Sequence, residues 1–166
     1  MNNIYYVEDD KRHFDALRTL LKTAGYNVFP LEQNWESEFA SCISFIRDQS
    51  NAEKKAAFES IIQNVKPDLL IIDVGLNVDA FGDGQDIYKN LILKSDSLKN
   101  IPIIYLTIIG KKSIQLFKNT NYVQKVYKLQ QELDIDSIEQ EMLNTISTLL
   151  KPSSSKGFMD SIIDSI

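Results

Sequence analysis

Carboxylate, hydroxyl and ammonium side chains stand close to the ends of separate apolar runs in this 166-residue chain. They are Glu8, Asp9, Asp73, Thr107 and Lys128. Carboxylates that are brought together repel each other when ionised, and a hard divalent cation such as Mg²⁺ relieves this repulsion with oxygen ligands. An aspartate in such a site can attack a phosphoryl donor, while a hydroxyl and an ammonium group stabilise the transferring oxygens. The residue types therefore predict magnesium-dependent phosphoryl chemistry with Asp73 as the nucleophile.

This chemistry requires a fold that unites positions far apart in the sequence. Short apolar runs are typical of buried strands, and they lie at Ile4–Val7, Tyr26–Phe29, Asp68–Asp73, Ile101–Thr107 and around Val126–Leu129. Apolar residues at helical spacing separate these runs, which predicts right-handed crossovers and a parallel sheet. We therefore predict an α/β fold, a flavodoxin-like doubly wound parallel sheet of five strands in the order 2-1-3-4-5. The carboxyl ends of its strands would bring the polar residues together.

The second crossover is enlarged, since residues 33–66 offer more chain than one crossover helix needs. The apolar spacing predicts one helix through Phe39 and Ile46 and a second through Phe58 and Val65. A capping box at residues 50–53 would separate the two helices, and a single long bent helix is the alternative. We assign residues 1–151 to one domain and residues 152–166 to a flexible linker with a short amphipathic tail.

Five motifs occur in the order, and at the strand ends, that are typical of one protein family. They are Val7-Glu8-Asp9-Asp10, the run from Pro67 to Asp73, Asp83-Gly84, the run from Pro102 to Thr107, and the later lysine. Over roughly residues 3–150 the chain thus resembles the two-component response-regulator receiver domains of the CheY-like superfamily. Each motif is weakly specific alone, and the specificity comes from their order.

The resemblance implies a role for each candidate residue. Asp73 would be the phosphoacceptor, Asp9 a direct Mg²⁺ ligand, and Glu8 a ligand acting largely through water. The backbone carbonyl of Gly75 would be a further metal ligand, with Asp73 itself. Thr107 would be the hydroxyl that moves toward the phosphoryl group, and Lys128 would be the ion-pair partner of that group.

The site lysine has two candidates, Lys128 and Lys125. Tyr122-Val123-Gln124-Lys125 also resembles the family's aromatic-x-x-lysine pattern. We favour Lys128, because its separation from Thr107 is closer to the usual one and because it leaves a normal start for the last helix.

The chain departs from the family's pattern around the site. Asn77 stands where a proline is usual, and residues 78–82 lengthen the loop before Asp83-Gly84. The bulky Ile108 follows Thr107, where a small residue is usual, and Leu129 replaces the proline that normally follows the lysine. These departures predict an altered access of donors to the acceptor, or an altered rate of dephosphorylation.

Composition excludes several other classes of function. A net charge of −5 argues against direct nucleic-acid binding, which depends on Lys and Arg. Cys42 is the only cysteine and His13 the only histidine, which disfavours disulfides and histidine-rich zinc sites. We expect His13 to be exposed on its helix. No apolar run is long enough to span a membrane, so we expect a cytoplasmic protein without membrane contact.

The leading hypothesis is a phosphorylation-dependent signalling receiver, not an enzyme that turns over a substrate. Its partners would be a sensor histidine kinase or phosphotransfer protein and a downstream protein, and homodimerisation is left open. The alternative is a receiver-like protein-interaction module that acts without phosphorylation. A phosphohydrolase is disfavoured, since such enzymes typically carry a second aspartate where this chain has Gly75.

Overall fold

The computed structural model describes residues 2–76, 84–107, 121–124 and 135–150. Within these residues the strands are β1 (Asn3–Val7), β2 (Asn27–Phe29), β3 (Leu69–Asp73), β4 (Ile103–Thr107) and β5 (Asn121–Gln124). The helices are α1 (Lys11–Thr23), α2 (Trp35–Arg47), α3 (Ala52–Val65), α4 (Gly84–Ile87) and α5 (Ile135–Leu149), and α4 continues as a π-helical turn over Tyr88–Ile92.

The five strands form one sheet in the order β2-β1-β3-β4-β5, and every neighbouring pair is parallel. The predicted fold class and strand order are therefore confirmed. β3 lies at the centre, where Ile4 of β1 pairs with Leu69 and Ile103 of β4 pairs with Leu70. Asp73, the last residue of β3, is thereby placed between the ends of two neighbouring strands.

Alternate residues of β1, β3 and β4 contribute to two separate hydrophobic cores. Tyr5, Leu70 and Tyr105 face the core formed with α2, α3 and α4. Tyr6 and Ile71 face the opposite core, which α1 and α5 cover. Because side chains alternate along a strand, a central sheet buried on both faces needs continuous apolar runs. This requirement explains why the strands were visible in the sequence.

Helix α1 begins and ends at the residues that its sequence indicates. The Asp10 carboxylate accepts a hydrogen bond from the Arg12 backbone N–H, which satisfies a donor at the helix start. At the other end Gly25 has a φ of 99°, and the Tyr26 N–H donates to the Leu21 carbonyl. This arrangement is a Schellman motif, which favours glycine because a Cβ disfavours positive φ.

The second crossover contains two helices, α2 and α3, and not one bent helix. The N-cap of α3 is Asn51, whose side chain accepts hydrogen bonds from the backbone N–H groups of Glu53 and Lys54. The predicted capping box began one residue earlier, at Ser50. Asn51 takes the position because its carboxamide oxygen reaches the free N–H groups of the first turn.

The position of the fifth strand is a correction. The sequence predicted it around Val126–Leu129, whereas β5 spans Asn121–Gln124, with Thr107 opposite Gln124. Both segments contain Tyr and Val, so strand propensity does not distinguish them; pairing with β4 does. Residues 126–129, the predicted helix through Ile114, and the predicted linker and tail at 152–166 lie outside the described residues.

Candidate functional site

The ends of β1 and β3 carry the acidic residues of the candidate site. Glu8 and Asp9 follow Val7, the last residue of β1, and Asp73 is the last residue of β3. Glu8 and Asp73 are buried, with 1% and 7% of their surface exposed, and Asp9 is partly exposed. Buried carboxylates are uncommon because ionised groups lose hydration. Their burial at adjacent strand ends indicates a site built to hold charge.

The three carboxylates form a cluster that fits one metal ion. One oxygen each of Glu8, Asp9 and Asp73 lies within 4.8 Å of the others. In an octahedral Mg²⁺ shell with bonds of about 2.1 Å, ligand oxygens lie about 3 to 4.2 Å apart. Small side-chain rotations, or water between the cation and Glu8, would bring the oxygens into that range. Oxygen-only donors also suit a hard cation such as Mg²⁺ or Mn²⁺.

Asp73 is oriented by the turn that follows β3. The Gly75 backbone N–H donates to Asp73 Oδ1 at 2.9 Å, which fixes one carboxylate oxygen. The Val74 N–H donates to the Leu106 carbonyl at 2.9 Å, so the turn remains joined to β4. Gly75 is exposed, which leaves room at the position from which its carbonyl would meet a cation.

Glu8 is held from several directions. The Tyr6 hydroxyl donates to Glu8 Oε2 at 3.0 Å, and the Trp35 indole N–H donates to the Glu8 backbone carbonyl at 3.1 Å. His13 Nδ1 lies 3.4 Å from Glu8 Oε1 and 3.3 Å from Asp10 Oδ2. The expectation that His13 is exposed was wrong: 16% of its side chain is exposed, because its helix packs beside the acidic turn.

The phenol of Tyr6 stays protonated beside these charges. Burial raises its pKa well above the usual value, and the negative charges of Glu8 and Asp73 raise it further. A protonated phenol can only donate its hydrogen to a carboxylate neighbour. Tyr6 is thus a permanent hydrogen-bond donor to Glu8 at physiological pH.

Thr107 ends the strand on the other side of β3. Thr107 is the last residue of β4, and its neighbour Leu106 pairs with Asp73, so the backbone of Thr107 reaches the same edge of the sheet. β5 ends at Gln124, which makes Lys125 the first residue beyond that strand. Lys125 and Lys128 themselves lie outside the described residues.

Three contributors to the site were not predicted as such from the sequence: Tyr6, Trp35 and Gly84. A Cβ at Gly84 would lie 2.3 Å from the Asp73 backbone oxygen, so only glycine permits this approach of α4 to β3. For Tyr6 the sequence did offer a signal. Residues two apart along a strand point to the same face, and Tyr6 is two residues before Glu8. For Trp35 the sequence offered no signal, because its hydrogen bond to the Glu8 carbonyl depends on how α2 packs.

Solved structures with the same architecture are response regulators and receiver domains. A response regulator from Chloroflexus aurantiacus has a TM-score of 0.58 and 22% identity over 90% of this chain and 97% of its own. The Mn²⁺-bound response regulator Rcp1 has a TM-score of 0.57 and 19% identity, over 92% of this chain and 96% of its own.

A third structure also contains a metal ion. The receiver domain of the sensor histidine kinase PA1611 from Pseudomonas aeruginosa has magnesium coordinated in its active-site cleft. Its TM-score is 0.56 and its identity 16%, over 89% of this chain and 96% of its own. No protein-family model matches the chain, and neither does any curated protein. Within the described residues, no helix is both long and apolar enough to cross a membrane.

Similarity of the whole architecture at this level of identity establishes the fold. The strand order, the two covered faces and the acidic strand ends agree with it. The chain therefore has the CheY-like fold of response-regulator receiver domains.

Proposed function

We propose that the chain is a receiver of a two-component phosphorelay that accepts a phosphoryl group on Asp73 with Mg²⁺. The observation that carries the proposal is the cluster of Glu8, Asp9 and Asp73, whose carboxylate oxygens approach within 4.8 Å at the carboxyl ends of β1 and β3. In doubly wound sheets, ligands bind at this edge. Nothing in packing alone favours three carboxylates there, because their mutual repulsion is costly.

Asp73 is the group best placed to act as the nucleophile. A carboxylate oxygen of Asp73 would attack the phosphorus of the donor, and the bond from phosphorus to the donor's leaving group would break. With acetyl phosphate the products are an aspartyl phosphate and acetate. The Gly75 N–H donates to Oδ1 at 2.9 Å, which helps to orient the carboxylate for this attack.

The remaining residues would bind the cation or respond to phosphorylation. Asp9 would bind the cation directly, Glu8 largely through water, and the Gly75 carbonyl would complete the protein ligands. When bound, Mg²⁺ would neutralise charge on the phosphoryl oxygens. Thr107 would donate its hydroxyl to the phosphoryl group and a lysine after β5 would pair with it, which would bias a pre-existing equilibrium between two conformations.

The expected donor is a sensor histidine kinase or a phosphotransfer protein, and the output is contact with a downstream protein. The net charge of −5 gives no support to direct DNA binding. The additional residues 78–82 and the bulky Ile108 would tune donor access or the lifetime of the aspartyl phosphate.

Phosphorylation of Asp73 is tested with acetyl phosphate and Mg²⁺, read as intact mass. We expect one phosphoryl adduct that requires Mg²⁺ and is absent from Asp73→Asn. Asp96→Asn is the matched control, since the Asp96 side chain is 99% exposed and is not one of the clustered carboxylates; this variant should be labelled like the wild type.

Two results would contradict the proposal. An adduct that persists in Asp73→Asn would place the acceptor elsewhere. Absence of an adduct from the wild type, with acetyl phosphate and with phosphoramidate, would favour a receiver-like module that binds its partner without phosphorylation.

A further inference from the structure

The Glu8 carboxylate has a soft terminal torsion that its surroundings must fix. Rotation about the last bond of a glutamate has broad, roughly two-fold minima, so a rotamer alone does not orient the two oxygens. Glu8 is only 1% exposed, which removes the bulk water that would otherwise solvate them. Orientation therefore depends on hydrogen-bond donors of the protein.

Tyr6 supplies the shortest of the described polar contacts to this carboxylate. Its hydroxyl lies 3.0 Å from Glu8 Oε2, whereas His13 Nδ1 is 3.4 Å from Oε1. The Tyr6 ring is in turn stacked on Phe14, with centroids 5.5 Å apart and planes 16° apart. Phe14 is fully buried, so the phenol has little freedom to move away from Glu8.

The backbone of Glu8 is held by Trp35, which packs against the same Phe14 ring as Tyr6. The Trp35 indole N–H donates to the Glu8 carbonyl at 3.1 Å, and the Trp35 ring packs against Phe14 at 5.9 Å between centroids. Main chain and carboxylate of Glu8 are thus both held by residues of one packed cluster. A carboxylate held in this way loses little conformational freedom when a cation arrives.

We propose that Tyr6 is a positioning residue for the metal site, which holds the Glu8 carboxylate oriented toward the cation. The inference rests on the proposed function and adds a residue that contacts neither cation nor phosphoryl group. Partners that orient the ligands of a metal typically change metal affinity by about 10- to 100-fold when they are removed.

Tyr5 offers a matched control for the same chemical change. It too is a buried tyrosine of β1, 2% exposed, whose hydroxyl donates to a glutamate, Glu38, at 2.9 Å. Its side chain faces the opposite core, away from Glu8 and Asp73. Tyr5→Phe therefore removes an equivalent hydroxyl without touching the acidic cluster.

The test measures the Mg²⁺ dissociation constant by calorimetry for the wild type, Tyr6→Phe and Tyr5→Phe. Tyr6→Phe should weaken Mg²⁺ binding about tenfold, while Tyr5→Phe should match the wild type. Phosphorylation of Tyr6→Phe by acetyl phosphate should approach the wild-type rate at saturating Mg²⁺, because the nucleophile is intact. A merely structural role would lower that rate or the folded fraction and leave the dissociation constant of the folded protein unchanged.

A double-mutant cycle with Glu8→Gln asks whether Tyr6 acts through Glu8. If it does, adding Tyr6→Phe to Glu8→Gln should change Mg²⁺ affinity by much less than tenfold. Additive effects, unchanged Mg²⁺ affinity in Tyr6→Phe, or an equal loss in Tyr5→Phe would overturn the inference. A wild type that binds no Mg²⁺ would overturn the proposed function, and this inference with it. The results named before would overturn the inference alone, so the two failures can be distinguished.

Discussion

Three consecutive acidic residues after β1 have different tasks because their surroundings differ. Glu8 is buried and accepts a hydrogen bond from Tyr6, and Asp9 is partly exposed at the cluster. Asp10 caps α1. Partial burial acts to raise the pKa of Asp10, but hydrogen bonds from Arg12 outweigh it, so the net pKa is lowered. The capping carboxylate therefore stays ionised at the start of α1, next in sequence to Asp9 of the acidic cluster.

Gly84 is predicted to be irreplaceable because of its close contact with β3. A Cβ there would lie 2.3 Å from the Asp73 carbonyl oxygen and 2.7 Å from Ile72 Cγ2. Gly84→Ala should therefore lower the free energy of unfolding by about 1–3 kcal/mol, the usual range for overpacking. Urea unfolding measures this loss, and Mg²⁺ affinity should fall as Asp73 shifts.

Gly75→Ala is the control for Gly84→Ala. The nearest atom to a Cβ at Gly75 would be Asp73 Oδ1 at 3.9 Å, an ordinary contact, and Gly75 is exposed. Gly75→Ala should therefore change the free energy of unfolding of the protein by no more than about 0.5 kcal/mol. Equal stability losses in both variants would contradict the steric explanation.

At the scale of elements, the second crossover distinguishes this chain from the minimal plan of one helix per crossover. Its two helices bring Cys42, Phe45 and Phe58 into the core above the sheet, and Trp35 to the Glu8 carbonyl. The start of α2 is thus physically connected to the acidic cluster.

The boundary between α2 and α3 should depend on Asn51. Because its side chain accepts hydrogen bonds from the N–H groups of Glu53 and Lys54, Asn51→Ala should cost about 1 kcal/mol in the free energy of unfolding. Ser50→Ala, at an exposed neighbour, should cost much less. Thermal or urea unfolding of the two variants measures both effects. A larger loss of stability in Ser50→Ala would instead support the capping box that the sequence predicted.

The end of β5 bears on the choice between the two candidate lysines. β5 ends at Gln124, at the edge of the sheet where Asp73 lies, and Lys125 is the next residue in the sequence. This position favours Lys125, whereas the spacing in the sequence favoured Lys128. We expect Lys125→Ala to slow phosphorylation by acetyl phosphate more than Lys128→Ala, because an ammonium group offsets charge on the phosphoryl oxygens. The reverse order of rates would establish Lys128.

At the scale of the whole molecule, metal binding should stabilise the fold. A ligand that binds only the native state adds about 2.7 kcal/mol at 100 times its dissociation constant. For a chain of this size such a gain corresponds to an increase of about 5–10 °C in Tm. We expect MgCl₂ to raise Tm by this amount relative to NaCl of equal ionic strength, measured by calorimetry.

Asp9→Asn provides the control for this stabilisation. It removes one of the three clustered carboxylates while its partly exposed position limits effects on packing. The increase in Tm with MgCl₂ should largely disappear in this variant. An equal increase in Asp9→Asn would show that Mg²⁺ acts on the surface charge of the acidic chain and not on the cluster.

Much of the architecture could be predicted from the sequence because central parallel strands are buried on both faces. Burial requires continuous apolar runs such as Leu69–Ile72, and these runs end where polar residues are tolerated. The positions of Glu8, Asp9 and Asp73, the strand order and the two-helix crossover follow from that local signal. The roles of Asp73, of its acidic neighbours and Gly75, of Thr107 and of either lysine stay predictions.

Only the tertiary structure decided which polar groups meet. Strand propensity did not separate Asn121–Gln124 from residues 126–129, since pairing with β4 chooses the register. The burial of His13, the indole bond of Trp35 to Glu8 and the contact of Gly84 with Asp73 join residues from different elements. Local sequence encodes the period and ends of an element, whereas contacts between elements depend on how their faces pack.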